Sequence, residues 1–109
     1  MESIRLYHSK SDDITISIDA YFDGEVLVID GYDIGPRVKE YWGDSDYEYM
    51  TRIPATGVNF LYDHFHVEQG NRTALLESLA NRYNTSFCYS EIRRLLEDNG
   101  IKDEGFTWA

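Results

Sequence analysis

A chain of 109 residues with 42% hydrophobic content holds one core and not two, so residues 1–109 read as a single globular domain. A net charge of −10 repels nucleic acid and anionic membrane; it argues against direct contact with either and favours encounter with a basic protein. The longest aliphatic run, Val26 to Ile29, falls far short of the roughly 20 residues a membrane span needs.

The elements follow in chain order. Ile4 and Leu6 alternate with Ser3, Arg5 and Tyr7, a short strand over residues 3–8. From Ile14 to Phe22 the period of two is sustained. Ile14, Ile16, Ile18, Ala20 and Phe22 take one face, and Thr15, Ser17, Asp19 and Tyr21 the other. Asp23-Gly24 reads as a two-residue hairpin turn, which sets Ala20 opposite Leu27 and Ile18 opposite Ile29. Gly31 and Gly35-Pro36 punctuate the chain, and a short helix is predicted from Pro36 to Trp42, ended by Gly43. Alternation resumes from Asp46 to Ile53, with Tyr47, Tyr49, Thr51 and Ile53 on one side and Asp46, Glu48, Met50 and Arg52 on the other. Three helical patterns follow, capped in turn by Thr56, by Asn71 or Thr73, and by Ser90. Their apolar stripes are Val58-Leu61-Tyr62-Phe65, Leu75-Leu76-Leu79-Ala80-Tyr83 and Ile92-Leu95-Leu96. Gly100 followed by Ile101 predicts a Schellman stop, and Phe106 to Trp108 a last edge strand. Strands first and helices second predict an α+β fold. Its antiparallel sheet of four to five strands, an N-terminal meander, is packed on one face by C-terminal helices.

The charge is segregated. Between Asp12 and Glu48 eleven acids stand against Arg37 and Lys39, whereas the remaining residues hold nine acids and eight bases. Within that third, Asp46 and Glu48 on one strand face project about 6.8 Å apart, flanked by Tyr47 and Tyr49. The run Asp44-Ser45-Asp46-Tyr47-Glu48 is unlike a calcium loop, because Tyr49 stands where that loop needs glycine and Ala55 where it needs glutamate. The glycines of Asp30 to Gly35 match no nucleotide-binding pattern, and acids there repel phosphate. His64 and His66 diverge by about 200° on a helix and share no metal. Cys88, the single cysteine, has no recognisable catalytic surroundings and reads as a small buried hydrophobe. It forms no internal disulfide, and the chain's beginning has no signal-peptide pattern; together these predict a cytoplasmic protein. No metal, cofactor or catalytic residue is assigned.

At Asp30-Gly31-Tyr32-Asp33-Ile34-Gly35-Pro36-Arg37-Val38 and Trp42-Gly43-Asp44-Ser45-Asp46-Tyr47-Glu48-Tyr49 the chain resembles small acidic bacterial proteins, among them the immunity partners of secreted or contact-delivered toxins. The resemblance covers about a third of the chain, with Asn99-Gly100-Ile101 adding a little. It implies a non-enzymatic inhibitor that sits on a toxin, often a basic nuclease, and blocks its active site. The charge pattern supplies the candidate contacts. Asp30, Asp33, Asp44, Asp46 and Glu48 would stand in for phosphates, and Tyr32, Trp42, Tyr47 and Tyr49 would be aromatic anchors unless Tyr47 and Tyr49 belong to the core. The alternatives are a nucleic-acid-mimicking decoy of a defence protein, a carboxylate-metal hydrolase, and a homodimer formed through an edge strand.

Overall fold

The computed structural model describes residues 2–38 and 46–108. Five strands, β1 (Ser3–Lys10), β2 (Thr15–Asp23), β3 (Val26–Ile34), β4 (Asp46–Ile53) and β5 (Glu104–Trp108), form one antiparallel sheet in the order β1-β2-β3-β4-β5. Helices α1 (Ala55–His64), α2 (Arg72–Arg82) and α3 (Cys88–Asp98) cover one face of it. This is the α+β architecture that the pattern of strands and helices predicts. No described helix is long and apolar enough to cross a membrane.

The covered face follows from side-chain alternation. Ile18, Ala20, Phe22, Leu27, Ile29 and Ile53 pack against Val58 and Leu61 of α1, Leu75 and Leu79 of α2, and Ile92 and Leu96 of α3. Each helix contributes a stripe at i, i+3 or i+4 spacing, and together the three stripes bury this side of the sheet. Gly57 lets α1 approach the sheet closely, since a Cβ there would lie 2.6 Å from Ile53 Cγ2.

Several local expectations change. The hairpin loop is Gly24-Glu25, not Asp23-Gly24, so Ala20 pairs with Ile29 and Ile18 with Gly31. Gly24 has φ +61° while Glu25 is not left-handed, the signature of a turn that needs glycine only at its first position. The slip is by two residues, so every side chain keeps its face and only its neighbours change. In β1 a bulge between Arg5 and Tyr7 inserts Leu6 and turns Tyr7 toward the core, against simple alternation. Residues 36–38 are helical; the rest of the helix predicted to Trp42, with its stop at Gly43, lies outside the described residues.

The helix caps divide. Asn71 Oδ1 accepts from the Ala74 amide at 3.2 Å, as predicted. Thr56 and Ser90 lie inside their helices, which begin after Pro54 and Phe87 without side-chain caps. The Schellman stop at Gly100 is present: the amides of Gly100 and Ile101 donate to Glu97 O and Leu96 O, and Gly100 has φ +71°. The same pair of bonds ends α1, from His66 to Asp63 O and from Val67 to Tyr62 O, with His66 at φ +56° in the place glycine usually takes.

Candidate functional site

None of α1, α2 and α3 covers the sheet's second face, and cross-strand pairing fixes which side chains share it. One row reads Arg5, Asp19, Asp30, Met50, Phe106; the next reads His8, Ser17, Tyr32, Glu48, Trp108. Asp46 stands beside Ile34 at the end of β4, and Tyr21, Val28 and Arg52 line up toward the hairpin. Val28 is fully buried yet outside the helix-side core.

Asp30 sits near the middle of this surface on a central strand. It is directly opposite Asp19, an arrangement of like charges that costs stability in a sheet. Its Oδ1 is buried and has no hydrogen-bond partner among the described residues. Burial, then the charges of Glu48 and Asp19, push the carboxyl up to about 6 from its ordinary 3.8. Asp19 is relieved by Arg5, whose Nε donates to Oδ1 at 2.6 Å, and Asp23 by Arg52 at 3.1 Å. Among the described residues no ion pair reaches Asp30, Asp46 or Glu48. Asp46 instead accepts the Tyr32 hydroxyl at 2.8 Å, a bond that raises the phenol's pKa. Among the described residues, arginines therefore neutralise one flank of the face, and no cation pairs with the acids of its centre and its β3–β4 end.

The structure separates the candidate residues into three groups. Asp30, Tyr32, Asp46 and Glu48 share the face opposite α1–α3. Asp33, Tyr47 and Tyr49 point to the helix side, where the Tyr49 hydroxyl donates to Asp33 Oδ1 at 2.9 Å. Trp42 and Asp44 lie outside the described residues. Burial raises both Tyr49 and Asp33, and the Tyr49 ring meets Tyr89 edge-on at 4.8 Å and tilts against Tyr47 at 5.6 Å. Tyr49 is thus a half-buried ring packed against the core, with a polar tether.

Alternation places Met50 on the face of Asp46 and Glu48, but sequence reasoning named neither it nor Asp19, Phe106 and Trp108 as a candidate contact. The same pattern places Asp19 on the outer side, but an Asp23-Gly24 turn would set it opposite Val28, whereas the observed register sets it opposite Asp30. Phe106 and Trp108 are 40% and 50% exposed, with rings stacked at 6.1 Å between centroids. Their hydrophobicity beside acidic neighbours was legible, their adjacency to Glu48 and Met50 was not.

Elsewhere the chemistry is plain. Cys88 is fully buried at the start of α3, and burial pushes its thiol up to about 11, away from nucleophilic use. Among the described residues no three His, Cys, Asp or Glu side chains converge as metal ligands. No family model matches the sequence, and no curated protein or solved structure is significantly similar to it.

Proposed function

We propose that the chain is a non-enzymatic inhibitor, an immunity protein whose sheet face opposite α1–α3 docks on a cationic toxin domain, a nuclease being the chemistry it suits best. The observation that carries this reading is Asp30. A central-strand carboxylate opposed by Asp19, beside Glu48, with a buried oxygen lacking a partner, is a locally unfavourable arrangement that a docking cation would relieve. Asp46 and Glu48 extend the negative surface toward one end, as successive phosphates would. Nuclease grooves present Lys, Arg or His to phosphate oxygens, and carboxylates on a rigid sheet meet the same donors with charge-assisted bonds. Tyr32, Phe106 and Trp108 supply rigid apolar area around the charges, the mixture from which interface anchors are drawn.

The test begins with capture of a partner by the intact chain at low salt, followed by kinetics with the purified partner. Association should slow steeply as salt rises, since steering between unlike charges is screened within a Debye length of about 10 Å at 0.1 M. The isosteric double variant Asp46→Asn/Glu48→Gln should weaken binding by about tenfold, roughly 1.4 kcal/mol, while the protein stays folded. Unaltered affinity in that variant would remove this face from the interface. A captured partner that is a nucleic-acid-reading defence enzyme, rather than a toxin, would make the chain a decoy using the same surface.

A further inference from the structure

The two edges of the sheet are built differently. β1 carries the bulge at Arg5/Tyr7 and the cations Arg5 and Lys10, devices that discourage pairing with another strand. β5 has none of them. Glu104-Gly105-Phe106-Thr107-Trp108 contains no Lys, Arg or Pro, pairs with β4 in unbroken register, and is exposed along its whole length. An edge strand leaves the outward amides and carbonyls of alternate residues without ladder partners.

This edge is also held in place. Asp103, just before it, accepts from Arg93 Nε at 2.7 Å and from the Thr51 hydroxyl, and Thr51 is fully buried. The Arg93 guanidinium lies against Gly105, where a Cβ would come within 2.8 Å of it. A template fixed before binding loses little entropy when a strand is added.

We propose that the free edge of β5 is the docking line for an extended, Lys- or Arg-bearing segment of the basic partner, which adds to the sheet as a sixth strand. The inference rests on the inhibitor reading and specifies how the partner attaches. Charge selects the occupant. β5 itself carries Glu104 and no cation, and behind Trp108 in the same row stands Glu48. Strands lie about 4.8 Å apart, so a lysine on the sixth strand, its stem along the Trp108 ring, directs its ammonium toward Glu48 two strands away. A second copy of this chain would instead bring −10 against −10.

The experiment uses the full chain, followed by backbone amide resonances, with a short synthetic peptide alternating Lys and Val at about 20 mM salt. Two further peptides of the same sequence are N-methylated on one or the other set of alternate amides. The expected result is perturbation of the Gly105 and Thr107 amides but not those of β1, with binding lost by at least ~10-fold for one methylated peptide and retained for the other. Equal binding of both methylated peptides overturns the sixth strand; if Asp46→Asn/Glu48→Gln abolishes that binding, the acidic-face reading survives alone. Loss on one methylation pattern with no effect of Asp46→Asn/Glu48→Gln or of salt overturns the cationic occupant. No binding of any peptide, or a concentration-dependent dimer that the peptide displaces, overturns the proposal outright.

Discussion

Gly31 shows how one missing side chain organises the inner face. It pairs with Tyr49 across β3 and β4, and a Cβ at Gly31 would fall 1.9 Å from Tyr49 Cε2. The ring lies over the glycine, filling the gap that the absent side chain leaves. From that position its hydroxyl reaches Asp33 and its edge meets Tyr89. Gly31→Ala should therefore destabilise the protein by about 1–3 kcal/mol, the usual cost of overpacking, read as a lower urea midpoint at unchanged m-value. A change of a few tenths of a kcal/mol would mean that the ring swings aside freely. In the sequence Gly31 looked like punctuation and Tyr49 like an anchor. Period-two alternation assigns residues to opposite faces without saying which face the helices will cover.

Among the elements, β5 depends most on contacts distant in sequence. It has five residues, no buried side chain of its own, and two polar tethers through Asp103 to α3 and β4. Asp103→Ala should cut those tethers and leave the Thr51 hydroxyl, buried in β4, with only the Glu104 carbonyl at 3.2 Å. Amide exchange in residues 104–108 should then accelerate by about tenfold or more, while Ile18, Ile29 and Leu79 keep their protection. Uniform acceleration across the sheet would show instead that β5 unfolds only with the whole domain. The Schellman stop at Gly100 was legible because its residues are adjacent in sequence, whereas the Thr51–Asp103–Arg93 cluster joins residues up to 52 positions apart and left no pattern to read.

At the scale of the molecule, electrostatics sets a pH dependence. The Asp30 carboxyl is raised in the folded state from about 3.8 to about 6, so the native protein binds its proton more tightly than the unfolded chain. Stability from this group is therefore greatest below the lower value and declines as pH climbs through that window. Asp30→Asn should raise the melting temperature at pH 7 and narrow its difference from the parent protein toward pH 4, measured by calorimetry across that range. A difference that stays constant with pH would mean Asp30 titrates as an ordinary surface carboxylate. The cost carried near neutrality is the counterpart of the proposed function, because a docked cation would hold Asp30 ionised and return it.

The sequence by itself determined the class and order of the elements, the faces of β2 and β4, the apolar stripes of the helices and the stop at Gly100. Each of these is written in spacings of two to five residues, where backbone geometry dictates which side chains coincide. Tertiary structure alone decided the hairpin register, the bulge that turns Tyr7 inward, the withdrawal of Asp33 and Tyr49 to the helix side, and the meeting of Asp19 with Asp30. Those outcomes arise where separate strands lie side by side, and the local alternation within each strand is the same whichever register brings them together.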